Sequence, residues 1–355
     1  MKDIRRYPFR PAPGLVPQEL LSKVFECTSC KANVKVPWLE KMEFPQQPFQ
    51  PVGKDGHWVP VSIPLECHVC KTKMDARIPI IEKESRWSLY GDEAGRYIAN
   101  PLIKYSTEPL NFFCITLVGL HQTKQVRVKR KIQSLKRKIC PDRDPESWSH
   151  HFTKIWSSKS GSGDFLLKNK EEKISHAKKF AKIIAQSRHE MVTFNISGCL
   201  RMPNDKRDRA SHLKYQKEEI FAQSILMTLM LMRDQNKSVE WVFDNVKDTT
   251  NGQRTEGWAE ECFLGLQYTR LFTWLSSGST TVKPVFTKPG SHYLLEVADF
   301  VSYVVAREFE RNICGKPVEI PSSLLRNGIY QGALADGDVK YTWSVGLPLK
   351  EFYGI

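Results

Sequence analysis

The sequence lacks any apolar stretch near the ~18 residues that a membrane span needs. Its run Ile225 to Met232 is interrupted by Thr228 and falls far short. The opening Met1-Lys2-Asp3-Ile4-Arg5-Arg6 has no apolar segment behind it, so it does not read as a signal peptide. Cysteine is too sparse for a disulfide scaffold: nine residues, an odd number, in a chain of 355. There is no internal repeat, no heptad run and no motif that reads base edges. These absences set the expectation of a cytoplasmic protein in a reducing compartment, without a membrane partner.

What is present is ordinary globular material, 41% hydrophobic and 26% charged. At this length two domains are expected. The division falls between an N-terminal arm with a small cysteine module, residues 1–83, and an α/β domain, residues 84–355, with a basic helical insertion at 121–190.

Four of the cysteines form two C-x-x-C pairs, Cys27-Thr28-Ser29-Cys30 and Cys67-His68-Val69-Cys70. Each pair turns two sulfurs to one side of a tight loop. Two such turns supply the four thiolates of a closed tetrahedral zinc site. The 36-residue spacer is rich in proline, which disfavours helix, so a zinc ribbon-like module of short strands is expected. A closed thiolate set leaves no position for substrate, and the site reads as structural zinc. His57 and His68 are alternative ligands nearby, and a protein partner is one use for such a module.

From Arg86 onward, strands alternate with helices. Arg86 to Asp92 reads as a strand running into a turn, and Asn111 to Leu120 as a buried strand. Helices are expected over 124–139, 148–156, 168–187, 207–233, 253–276 and 293–311. Further strands are expected over 191–200, 239–244 and 282–286. That alternation implies an α/β or α+β sheet domain.

Acidic residues stand at the ends of these elements. Asp92 and Glu93 close the first strand and Asp244 closes Val239 to Asp244. Glu296 and Asp299 share a helix face at i,i+3 inside an otherwise apolar run. Carboxylates converging at a sheet edge would bind Mg²⁺ or Mn²⁺ through hard oxygen ligands. Two such ions could serve the attacking and leaving oxygens of a phosphodiester. Each acid also has a plainer reading, as a turn cap or a solvated charge.

Two of these stretches carry a resemblance. Tyr90-Gly91-Asp92-Glu93-Ala94-Gly95 resembles the Y-x-D-E-S-G opening of a widespread microbial family with a ribonuclease H-like fold. Leu295 to Tyr303 resembles that family's closing L-Q-x-A-D-x-x-A-Y helix. The resemblance spans roughly residues 84–312. It implies a ribonuclease H-like mixed sheet with flanking helices, in which Asp92, Asp244 and Asp299 meet. Ala94 stands where the family has Ser, and Glu296 where it has Gln.

Net charge is +14, and it is concentrated. Residues 121–217 hold 24 Lys and Arg against 9 Asp and Glu, an excess of 15, so the remainder is close to neutral. Lys124, Arg127, Lys129, Arg130, Lys131, Lys136, Arg137 and Lys138 follow one another with no acid between them. Such a field suits a polyanion, and nucleic acid is the expected partner. Trp148 and Trp156 either stack on bases or anchor the core. His150 and His151 either line the cleft or lie on a helix surface.

Together these features point to a metal-dependent nuclease. Two rivals stand beside it. A non-catalytic effector of the same fold would bind nucleic acid or a protein without turnover. A nucleotide-processing hydrolase would act on mononucleotides and ignore the 124–138 cluster.

Overall fold

In a computed structural model of the protein, the described residues are 24–35, 51–52, 57–58, 62–77, 85–104, 106–120, 122–158, 165–187, 191–203, 205–234, 237–244, 257–267, 272, 284–287, 291–325, 329–336 and 339–346. The chain divides into two compact units. One comprises Met1–Trp87, Ile225–Glu240 and Gly257–Pro284, the other Ser88–Ser224, Trp241–Glu256 and Val285–Ile355. The boundary expected after residue 83 lies within the first unit, which also takes in the two later segments.

The N-terminal segment of the first unit is built from hairpins. Strand β1 (Val24–Glu26) pairs antiparallel with β2 (Asn33–Lys35), β3 (Pro51–Val52) with β4 (His57–Trp58), and β5 (Ser62–Glu66) with β6 (Lys73–Arg77). The first and third hairpins each turn on a C-x-x-C-Lys loop. Lys31 and Lys71 sit at φ 63° and 60°, the left-handed conformation that closes each loop back on its first cysteine. The Lys31 N–H donates to Cys27 O at 3.1 Å and the Lys71 N–H to Cys67 O at 2.9 Å.

The remaining elements, in chain order, are β7 (Ser85–Ile98), β8 (Leu110–Leu120), α1 (Gln122–Ile139), α2 (Phe152–Ser157), α3 (Lys170–Gln186), β9 (Met191–Arg201), α4 (Lys206–Asp234), β10 (Lys237–Asp244), α5 (Gly257–Gln267), β11 (Val285–Thr287), α6 (Tyr293–Ile313), β12 (Ile329–Asp336) and β13 (Val339–Gly346). Among the described residues, seven strands form one mixed sheet in the order β11-β10-β7-β8-β9-β13-β12. Neighbours from β7 to β9 and on through β13 to β12 run antiparallel, while β10 and β11 are parallel.

Strand β8 is buried along its whole length because helices cover both of its faces. Phe112, Cys114, Thr116 and Val118 point toward α6, where Cys114 Sγ lies 3.6 Å from Ser302 O. Asn111 and Phe113 point the other way, toward α4, where Asn111 donates to Gln216 at 2.6 Å and the Lys217 ammonium lies over the Phe113 ring. One apolar cluster joins Val118 and Leu120 of the sheet to the inner faces of α1, α3 and α6. Helix α3 starts on Asn169, whose side chain accepts the Glu172 N–H, with Glu171 and Glu172 at the positive end of the helix dipole.

The first strand departs from its expected end. No turn interrupts Gly91 to Gly95; β7 continues to Ile98, paired with β8 from Tyr90↔Val118 to Ile98↔Leu110. The glycine at 91 serves packing. A Cβ there would sit 2.5 Å from the Phe243 ring and 2.7 Å from Leu117 Cδ2. The hairpin β12–β13, which extends the sheet beyond β9, was not legible in the residue pattern. No helix among the described residues is long and apolar enough to cross a membrane.

Candidate metal centre and acidic site

The four paired cysteines come together. Cys27 Sγ lies 3.6 Å from Cys70 Sγ and Cys30 Sγ 3.6 Å from Cys67 Sγ, with all four sulfurs within 4.8 Å of one another. A tetrahedral ion with Zn–S bonds of about 2.3 Å separates its sulfurs by about 3.8 Å, so the set has the size of a metal site such as zinc. Cys27 and Cys67 are buried, whereas Cys30 and Cys70 are exposed. Backbone N–H groups of Cys70 and Val69 aimed at Cys67 pull its thiol pKa down. The Thr72 side chain, with Oγ1 3.1 Å from Cys70 Sγ, draws Cys70 down to about 6. Both effects favour the thiolate that a metal requires, whereas Cys30, against the backbone hydrogen bond of Ala32, is pushed up to about 12 by its hydrogen bonds to the other three cysteines and by burial. His68 is exposed and outside the set, and the His57 side chain lies outside the described residues.

The second site lies on the α6 face of the sheet. Strand alternation settles which side chains reach it. Asp92 is the cross-strand partner of Thr116, which faces α6. Phe243 packs on Phe221 of α4 on the opposite face, so Asp244 shares the face of Asp92. Asp299 lies on α6 itself. Burial raises the Asp92 carboxyl well above its ordinary value, and the charges of Asp299 and Asp244 raise it further. Asp299 is buried and Asp92 and Asp244 are half-buried, so the three aspartates repel one another with only partial screening by water. They are more open than the cysteines: among the described residues only the cysteine quartet has its ligand atoms all within 4.8 Å.

Asp299 is held on both oxygens. His151 Nδ1 meets Oδ1 at 2.7 Å, and the Phe152 N–H donates to Oδ2 at 2.7 Å. Asp299 thus takes up a donor at the start of α2, where His151 offers no side-chain cap of its own. The hydrogen bond to Asp299 raises the His151 pKa, against burial. Beside Asp92, Thr116 and Asn195 extend a buried polar row, with Asn195 Nδ2 donating to Thr116 Oγ1 at 2.7 Å. At the start of α6, His292 stacks on Tyr90 with ring centroids 3.9 Å apart and accepts the Leu294 N–H.

Two expected acids do not join this group. Glu93, next in strand after Asp92, points to the other face and pairs with Lys217 of α4 at 4.0 Å. Glu296 is 3% exposed and its Oε1 takes Lys136 Nζ at 2.5 Å and the His150 N–H at 3.0 Å. Burial pushes its carboxyl up, and Lys136 and the His150 N–H draw it back. The same contact removes Lys136 from the basic surface. It is 4% exposed, donates to Trp148 O and lies over the Trp148 ring.

Of the other basic residues expected to meet nucleic acid, Arg127, Lys129, Arg130, Arg137 and Lys138 are exposed and Lys124 and Lys131 half-buried. Lys129 pairs with Glu146 at 2.8 Å, and Lys131 donates to Gln186 of α3 at 2.8 Å. Trp148 is buried and Trp156 packs on the core, so both anchor it. His150 is also interior, with Nε2 2.8 Å from His176 Nε2 and its ring between Phe152 and Phe180. His151, only one of several open readings in the sequence, is the histidine that reaches the acids. No local signal could tie it to Asp299, 148 positions away.

Comparison with protein-family models, with curated proteins and with solved structures gave no match.

Proposed function

We propose that the protein is a metal-dependent nuclease of ribonuclease H-like fold, with a structural zinc on Cys27, Cys30, Cys67 and Cys70. The observation that carries this reading is the meeting of Asp92, Asp244 and Asp299 on one face of the sheet, where burial and mutual repulsion hold Asp92 far from its ordinary acidity. Three hard-oxygen donors on one face, Asp299 buried and Asp92 and Asp244 half-buried, fit Mg²⁺ or Mn²⁺. When bound, such ions supply Lewis acidity toward a phosphodiester oxygen. The strand order also supports the reading. Strands β9-β8-β7 run antiparallel, with β10 and then β11 added beside β7 and an acid-bearing helix following. This is the arrangement in which the acids of strand one, strand four and the last helix meet in the family that the two motifs resemble.

Within this reading the chain's own residues have separable tasks. Asp92, Asp244 and Asp299 hold the cations. His151 and the Phe152 N–H fix the orientation of the Asp299 carboxylate. Thr116 and Asn195 keep the floor beside Asp92 polar. The pair Lys136–Glu296 ties α1, which carries the exposed arginines and lysines, to α6.

A second reading has its own support. Asp299 already has a protein donor on each oxygen, and the aspartates are not drawn in as tightly as the cysteines. That favours a non-catalytic subunit binding nucleic acid. The test is cleavage of labelled single- and double-stranded DNA and RNA with Mg²⁺, Mn²⁺ or neither, beside Asp92→Asn. Metal-dependent cutting lost in the variant supports the nuclease. Salt-sensitive binding without cutting in either metal selects the binding subunit.

A further inference from the structure

Helices α1 and α3 lie side by side. Val128, Ile132 and Leu135 of α1 and Ala177, Phe180 and Ile184 of α3 sink into one apolar cluster with α6. Lys131 Nζ bridges to Gln186 Oε1 at 2.8 Å across their outer edge. Because both inner stripes enter the same core, the opposite faces emerge together into solvent.

On α1 that outer face carries Arg127, Arg130, Arg137 and Lys138, all exposed, in a helix with no acidic residue. On α3 it carries Lys178, Lys179 and Lys182, also exposed. They line a shallow groove with Ile174, Ser175 and Glu171, and the acids of α3, Glu171 and Glu172, are confined to its first turn. None of these seven cations has an ion pair among the contacts of the described residues.

The face offers cations and little else. Trp148 and Trp156, the aromatic candidates that the sequence offered for stacking, are taken by the core. Single-stranded binding draws much of its energy from bases stacked on exposed aromatic rings, at roughly 1–3 kcal/mol per base. A duplex hides its bases and presents two regular rows of phosphate. At ~1.5 Å rise per residue, the span from Arg127 to Lys138 is about 16 Å. Packed helix axes stand about 8–10 Å apart. That separation lies within the ~6–12 Å range of the grooves between a duplex's phosphate rows, and the helix span runs along them.

We infer that the α1–α3 face is a docking surface for the phosphate backbone of a nucleic-acid duplex, engaged without base reading. This rests on the nucleic-acid partner of the proposed function and narrows it to the double-stranded form. Lys178, Lys179 and Lys182 become phosphate contacts that the 124–138 cluster did not include, and Lys136 is removed from that set.

The experiment is fluorescence anisotropy on the full chain without added divalent cation. The probes are a DNA duplex, an RNA duplex and the corresponding DNA single strand, of equal length, over a salt series. Both or either duplex should bind more tightly than the single strand, and the two duplex arms identify which polymer is preferred. Lys179→Gln/Lys182→Gln should lower the slope of log K against log salt by about two, one per lost phosphate contact. Its thermal midpoint should be unchanged, while Lys214→Gln on α4 should leave the slope as it was. A single strand bound as tightly as the duplexes, an unchanged slope in the double variant, or no binding to any probe would overturn the inference. Cleavage is scored separately. Single-strand cutting without duplex binding would strike the docking surface and leave the nuclease, and duplex binding without cutting would do the reverse.

Discussion

The cysteine quartet and the aspartate group are both candidate metal sites, and the fold prepares them in opposite ways. The quartet is local. Two hairpins of the same design each contribute a left-handed lysine and a C-x-x-C turn, and the sulfurs meet at tetrahedral spacing. The aspartate group is assembled from β7, β10 and α6, elements far apart in sequence, and its members repel one another. A closed, preformed thiolate set suits an ion that holds structure. An open carboxylate set under electrostatic tension suits an ion that must accept substrate oxygens.

The largest expected effect breaks the first site. Cys67→Ala removes a fully buried sulfur, and zinc in the purified protein, read by atomic absorption, should fall from stoichiometric to background. The N-terminal hairpins should become protease-sensitive, since structural zinc contributes on the order of 10–16 kcal/mol of apparent folding free energy. Retained zinc would move the ligand set elsewhere.

Next comes the pair that locks α1 to α6 near the second site. Lys136→Met strands a buried carboxylate and should cost about 3–5 kcal/mol in urea denaturation. Lys136→Met combined with Glu296→Leu should recover most of that loss, because an apolar pair carries no desolvation penalty. An equal loss in both would show that the charges contribute net stability.

Gly91→Ala tests the close approach of β7 to β10. Its Cβ would meet the Phe243 ring at 2.5 Å, and overpacking of this kind costs about 1–3 kcal/mol. The shift that relieves it separates Asp92 from Asp244, so divalent binding should weaken along with stability. The cysteine site should keep its zinc.

Asp92→Asn should act in the opposite direction on stability. Burial raises the folded Asp92 pKa above its unfolded value of 3.8. Stability from this group is therefore full below that value and falls as pH rises through the folded pKa. At neutral pH the amide relieves that penalty. Melting should rise by about 2–4 °C for each kcal/mol relieved, while the stabilisation of wild type by Mg²⁺ or Mn²⁺ disappears. A lower midpoint in the variant would mean that the aspartates do not repel as described.

The effect that is smallest at neutral pH, and grows only in acid, concerns the His150–His176 pair. Burial holds His150 well below and His176 down to about 4 from the ordinary 6.5. The unfolded chain takes up these protons first, so stability is lost as pH falls from 6.5 toward 4, by up to about 1.4 kcal/mol per pH unit for each histidine. His176→Phe should flatten that part of the profile, measured by denaturation at stepped pH.

Much of this was legible because the signals are local. The C-x-x-C pairs, the apolar run of β8 and the helices expected over 124–139, 168–187 and 293–311 each depend on near neighbours in sequence, and each appears close to where its pattern placed it. The run from Gly91 to Gly95 misled for the same reason. Glycines beside an aspartate suggest a turn, and only the Phe243 ring across the sheet explains why a strand needs glycine there. Glu93 and Asp92 are indistinguishable as adjacent acids until the pleat sends them to opposite faces. Lys136 looked like one more cation in a basic helix, and Glu296 like one more ligand, until packing placed them against each other.

The sequence by itself determined the thiolate pairs, the alternation of strands and helices, and the concentration of positive charge between residues 121 and 217. All three follow from spacing and composition, which act over a turn or two of chain. The tertiary structure decided which acids share a face, which cations reach solvent, and that His151 meets Asp299. Those outcomes depend on strand pleat, helix burial and contacts between residues more than a hundred positions apart, where nothing in local sequence constrains the pairing.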